Sequence, residues 1–152
     1  MAMNLTSPAF EHGKPIPTRH SCDGENVSPE MTWSDVPDAA TSLVLICDDP
    51  DAPGGTFDHW VVYNLSRDLE GLDEDIPPID ALEDGGNQGV NDFGKIGYGG
   101  PCPPSDTHRY YFTLYAVEDT LHFAEPPTKQ DVLDAIEGKV VDKAQLMGTY
   151  TR

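Results

Sequence analysis

Ser42-Leu-Val-Leu-Ile-Cys47 runs straight into Asp48-Asp-Pro-Asp51-Ala-Pro-Gly-Gly55, and the next regular stretch is His59-Trp-Val-Val-Tyr-Asn-Leu65. The first run is apolar at nearly every position, as in a strand covered on both faces. It is too short for a helix and ends abruptly in acids, prolines and glycines. The second run is of the same kind. A third, His108 to Val117, alternates: Tyr110, Phe112, Leu114 and Ala116 share one face, and Tyr111, Thr113 and Tyr115 the other. Three strong strands therefore dominate the middle of the chain.

The flanking stretches agree with a β domain. Ser7-Pro8, Gly13-Lys14-Pro15, Asp23-Gly24 and Ser28-Pro29 punctuate the first thirty residues, which read as a loop-rich entry with short strands. Trp33 opens a half-buried stretch, and Val36-Pro37-Asp38 is a turn. Residues 67–84 are acid-rich with Pro77-Pro78 inside, a solvated connection to which no function is assigned. Gly85 to Gly100 is a glycine-rich extended loop approaching a pocket. Thr128 with Asp131 three residues later makes a weak capping box. Val132, Leu133 and Ile136 follow at helical spacing, and Gly138 stands where a left-handed residue ends a helix. Val140 to Tyr150 also fits period two, and a final strand is preferred there over continued helix. The expected fold is mostly β: an antiparallel sandwich or distorted barrel with one small helix near the C-terminus, as a single domain over 1–152.

The chain has 152 residues, enough for one continuous core. Its 14 Gly and 14 Pro argue against a long helical bundle. No apolar run reaches the roughly 18 residues of a membrane span. Met1 to Phe10 lack the basic and apolar regions of a signal peptide, which predicts a cytoplasmic protein. Nine Lys and Arg against 27 Asp and Glu give a formal net charge of −18. That field repels nucleic acid and anionic membrane surfaces. It also suits a saline cytoplasm, and a halophilic source is the expectation. Cys22, Cys47 and Cys102 form no CxxC pair, so a structural zinc site is not expected, and an odd count without a signal peptide reads as reduced thiols. A catalytic Cys102–His108 pair is a minor alternative.

Polar clusters stand at the ends of the strong strands: Asp48-Asp49-Pro50-Asp51, then Phe57-Asp58-His59-Trp60, then Gly99-Gly100-Pro101-Cys102-Pro103-Pro104 with His108-Arg109-Tyr110. Neighbouring strands would bring two imidazoles, a carboxylate, a phenol and backbone N–H groups together. Such a set suits a small anion, with an Asp holding one imidazole in its donor tautomer. The same donors could ligate a metal. Each histidine alone is more often a satisfied structural residue; their joint appearance on separate strands favours a site.

These motifs, with Cys22-Asp23-Gly24-Glu25-Asn26-Val27-Ser28-Pro29, Trp33-Ser34-Asp35-Val36-Pro37, Asn91-Asp92-Phe93-Gly94 and Leu146-Met147-Gly148-Thr149-Tyr150, resemble the phosphatidylethanolamine-binding protein family. The prokaryotic, Raf kinase inhibitor-like branch is the closer match. The resemblance spans residues 4–151 in order. It implies a large antiparallel sheet packed on a smaller one and an anion pocket at one end, lined by Asp49, His59, Gly100, His108 and Tyr110, with Phe57 as an aromatic wall. Asp51 and Pro101 complete the expected ligand-binding set. Asp58 stands where animal members are basic, and the C-terminal helix of those members is missing, so lipid binding and kinase inhibition transfer poorly.

The leading expectation is a non-catalytic binding protein for a small phosphorylated or carboxylated ligand, without cofactor or metal. A second is an inhibitor or regulator presenting the pocket rim to a protease or kinase. A third, a hydrolase using Asp49, His59 and His108, lacks an obvious nucleophile, since Ser105 sits in a proline-rich loop without a nucleophile elbow. A homodimer is left open.

Overall fold

The computed structural model describes residues 2–83 and 85–152. Asp84, the last residue of the acid-rich connection, and Met1 lie outside the described residues. The strands are β1 (Asn4–Thr6), β2 (Met31–Ser34), β3 (Ser42–Asp49), β4 (Phe57–Ser66), β5 (Gly71–Leu72), β6 (Asn87–Gln88), β7 (Thr107–Val117) and β8 (Val140–Thr151). An α-helix, α1 (Lys129–Ile136), precedes β8. All pairings within the two sheets are antiparallel, in the orders β1-β2-β5 and β6-β4-β3-β7-β8. The mostly β fold expected from the sequence is the one observed.

β3 is central because its residues are apolar on both faces. Leu43, Leu45 and Cys47 point into the main core between the sheets, with Trp33 and Met31 from β2 and Phe112 and Leu114 from β7. Val44 and Ile46 point the other way, under Val132 and Ile136 of α1. The helix starts on a complete capping box: Thr128 accepts from the Asp131 N–H, and Asp131 accepts from the Thr128 N–H. It gives way at Gly138, whose φ of +78° is open to glycine without strain. The chain then returns as β8 along the full length of β7, as period two predicted.

The acid-rich connection is less plain than its composition. Leu72 of β5 pairs with Met31 of β2. Farther along, the buried Gln88 amide donates to the Pro77 and Ile79 carbonyls while its oxygen accepts from Trp60 Nε1. The connection is therefore fastened to the core by satisfied polar groups.

Cys22 and Cys102 form a disulfide, and Cys47 is free and buried. This corrects the expectation of reduced thiols. The two half-cystines are 80 residues apart, and only the fold brings their loops together. It also removes the Cys102–His108 nucleophile pair, since the Cys102 sulfur is bonded elsewhere.

Candidate functional site

The cavity lies where β3, β4 and β7 emerge from the core, and it encloses about 200 Å³. Its floor is Asp49, His59, His108 and Tyr110; its walls are Phe57, Phe93, Ala52, Pro53, Cys102, Pro103 and Pro104.

Asp49 is the last residue of β3 and is 3% exposed. The following proline cannot continue the ladder. Asp49 Oδ1 accepts from the Asp51 N–H at 2.7 Å, closing an Asx-type turn, and its Oδ2 lies 2.7 Å from His108 Nδ1. Because a carboxylate accepts, Nδ1 of His108 carries the proton. His108 and Tyr110 share a face of β7 by simple alternation.

His59 arrives differently. Cys47 pairs with Trp60, but Asp48 pairs with Asp58, so His59 is an extra residue in β4. Plain alternation would send it under α1 with Val61. The bulge instead places it on the same face as Trp60. Its Nδ1 lies 2.7 Å from the Gly99 carbonyl, which fixes Nδ1 as the donor. Burial pulls the His59 pKa below its ordinary value, against the Gly99 bond and the nearby aspartates that favour the cation. Neutral His59 therefore offers Nε2 as an acceptor, and protonated His59 offers it as a donor. Among the described residues, neither the His59 nor the His108 Nε2 has a protein partner.

The Tyr110 hydroxyl is buried without a hydrogen-bond partner. Burial, then the charge of Asp49, raises its pKa, so it stays a phenol. A buried hydroxyl without a partner is costly, and this one borders the cavity. The aromatic wall is close-set: Phe57 and Phe93 centroids are 4.8 Å apart, Phe57 and His59 5.0 Å, and His59 and Tyr110 5.2 Å. Among the described residues, no three His, Cys, Asp or Glu side chains gather as a metal site would need.

Three candidates from the sequence lie outside the cavity lining. Asp51 faces Arg109, accepting from Nε at 2.9 Å and Nη2 at 2.8 Å. That fork holds its carboxyl down at about 2 and braces the turn after β3 against β7. The Gly100 N–H donates to Asn26 Oδ1 at 2.8 Å, so it is not a free donor for a ligand. A Cβ at Gly100 would sit 2.1 Å from the His20 carbonyl oxygen. The glycine permits close approach, but of protein backbone. Pro101 is buried and accepts from the Cys22 N–H at 3.1 Å.

Six lining residues were not in the ligand-binding set expected from the sequence: Ala52, Pro53, Cys102, Pro103, Pro104 and, as the one aromatic among them, Phe93. Its signal was available in Asn91-Asp92-Phe93-Gly94: the Asn91 side-chain oxygen accepts from the Phe93 N–H and turns the chain. Gly99 makes room for the ring, since a Cβ there would lie 2.3 Å from it.

The profile of the phosphatidylethanolamine-binding protein family matches residues 6–151. A UPF0098 protein of Methanothermobacter thermautotrophicus is 51% identical over 150 residues, covering 99% of each chain. A UPF0098 protein of Chlamydia trachomatis is 45% identical, also covering 99% of each. Among solved structures, a phosphatidylethanolamine-binding protein homologue from Chlamydia trachomatis superposes with a TM-score of 0.91 at 46% identity, covering 99% of this chain and 98% of that one. The E. coli protein YbcL, described as a member of the mammalian family, gives 0.90 at 29% identity, covering 100% of this chain and 99% of its own. The expected halophilic source draws no support, since the archaeal relative named above is a methanogen's. A profile match across nearly the whole chain, together with the shared fold, makes this chain a member of the phosphatidylethanolamine-binding protein family.

Proposed function

We propose that the cavity binds a small phosphorylated or carboxylated group and performs no chemistry on it. The observation that carries the reading is the floor: two imidazoles with Nδ1 committed and Nε2 unpartnered, beside a buried Tyr110 hydroxyl without a partner. Each of these atoms gains from a ligand that supplies oxygens and, where the rings are neutral, a proton. Charge-assisted hydrogen bonds of this type contribute about 1.5–3 kcal/mol each. The apolar walls suit the organic remainder of the ligand. Among the described residues no serine, threonine or free cysteine lines the cavity: Cys102 is bonded to Cys22, and Ser105 is exposed outside it. This supports binding over hydrolysis. The reading includes no cofactor or metal.

A second reading, in which the rim meets a protein target of inhibition, draws on Phe93, an apolar ring left 43% exposed at the mouth. Calorimetry with inorganic phosphate and sulfate tests the first reading. His59→Ala and His108→Ala should each weaken binding on the order of tenfold or more. Equal affinity in both variants and the parent protein would place the anion elsewhere and leave the rim reading ahead.

A further inference from the structure

Three ties hold the loop that walls the cavity. The Gly100 N–H donates to Asn26, the Pro101 carbonyl accepts from the Cys22 N–H, and at the far end Asp106 exchanges backbone bonds with Arg152. Between them, residues 102–105 make no backbone hydrogen bond among the described residues. Pro103 and Pro104 have no N–H to give. The side-chain anchor of this stretch is the Cys22–Cys102 disulfide, and Cys102, Pro103 and Pro104 all face the cavity.

Both half-cystines are exposed residues, so the bond lies at the surface, where a thiolate can approach it. Arg152 lies over them, with Nη1 3.5 Å from Cys102 Sγ and 3.8 Å from Cys22 Sγ. A cation beside a sulfur stabilises the thiolate and so makes it the better leaving group. Both sulfurs lie within reach of the guanidinium; with Cys102, the nearer, as the leaving group, Cys22 Sγ is the one attacked.

We propose that Cys22–Cys102 is a thiol-exchange site through which a dithiol reductant loosens the cavity wall and lowers its affinity for the anion. The coupling to affinity rests on the anion-binding reading; the exchange itself does not. One thiolate of the dithiol attacks Cys22 Sγ. The S–S bond breaks, and its electron pair leaves on Cys102 as a thiolate facing Arg152. The second thiol of the reductant, deprotonated, attacks the mixed disulfide and releases Cys22 as a thiolate that takes up a proton. Two electrons pass from the dithiol, which closes into its own disulfide.

Linkage makes the effect reciprocal: a saturating anion opposes reduction by the factor by which reduction weakens the anion. The probes are dithiothreitol and sulfate. Native oxidised protein is incubated with the dithiol, free thiols are counted, and tryptophan fluorescence reports folding. Sulfate affinity is measured in both redox states. The expected result is two thiols appearing in folded protein, with sulfate bound at least threefold more weakly after reduction. Saturating sulfate should lower the extent of reduction by the same factor; tenfold would correspond to about 30 mV. Arg152→Gln should slow exchange severalfold without altering sulfate affinity in the oxidised state. Thiols appearing only in step with global unfolding, or equal sulfate affinity in the two states, overturns the proposal. If the oxidised protein binds no sulfate, the anion reading and the coupling both fail, while the thiol count still decides whether the bond is an exchange site.

Discussion

His59 decides how the cavity meets an anion. Its Nδ1–H is committed to the Gly99 carbonyl, and its pKa is lowered by burial, so at neutral pH its Nε2 carries no proton. A fully ionised ligand oxygen meeting that nitrogen is repelled. Binding an anion there should therefore take up a proton. Sulfate is the suitable probe because its charge is constant across the range. Its affinity should rise as pH falls from about 8 to 6, towards the ordinary histidine value of about 6.5. Calorimetry in buffers of different ionisation enthalpy should show net proton uptake, which His59→Ala should diminish. The unliganded protein runs the other way. A histidine whose folded pKa is lowered stabilises the fold above its unfolded value, and that contribution is lost as pH falls through the folded one. The melting temperature of the free protein should therefore drop on acidification from pH 7, and sulfate should restore more of it at pH 6 than at pH 8. Sulfate affinity independent of pH over this range would mean that the imidazoles do not hold the anion.

At the scale of elements, the back of the sheet is tied to the helix by charge. Asp48 and Asp58 sit on the face opposite Asp49 and His59. Lys129 Nζ, at the start of α1, lies 3.2 Å from Asp48 Oδ2 and 2.9 Å from Asp58 Oδ1. Burial raises the Asp58 pKa despite the lysine. Removing the cation leaves two aspartates facing each other with little water, so Lys129→Met should cost about 3 kcal/mol in urea unfolding. Lys129→Met combined with Asp58→Asn should recover part of that loss; no recovery would mean that the lysine stem, not its charge, matters. Much of this scaffold was legible in the sequence. The runs at 42–47 and 59–65, the alternation at 108–117 and the Thr128–Asp131 box each carry their own periodicity or cap. What was not legible depends on contacts distant in sequence. The bulge that turns His59 towards the cavity appears only in the register of β4 on β3. Gly100 reads as a glycine near a ligand, yet the group it admits is the His20 carbonyl. Asp51 reads as a twin of Asp49, yet Arg109 takes it.

The whole molecule is held against two opposing tendencies, chain entropy and its own charge. The disulfide joins residues 80 apart; closing a loop of that length restricts the unfolded chain by about 4–5 kcal/mol in the chain-entropy account. Cys22→Ser with Cys102→Ser should accordingly lower the melting temperature by roughly 10 °C or more at this size, and a loss of only a degree or two would show that the reduced loops keep their places unaided. Disulfides persist mainly in oxidising compartments, and in the cell interior of hyperthermophiles, so the bond weighs against the cytoplasmic expectation that reduced cysteines had supported. Charge acts in the other direction. Among the described residues, six of the nine Lys and Arg are engaged in ion pairs: Arg19, Arg67, Arg109, Lys129, Lys139 and Arg152. Most of the 27 acids face solvent without a cation, and their mutual repulsion is strongest in the compact state. Salt screens both terms. Each exposed pair is worth about 0–1 kcal/mol, and only a few stand to be lost, whereas the repulsion sums over a net charge of −18. Stability should therefore rise with potassium chloride. Most of the rise should come while the Debye length contracts from about 10 Å at 0.1 M towards 3 Å at 1 M, and scanning calorimetry would follow it. A melting temperature that falls over that interval would mean that the ion pairs outweigh the repulsion.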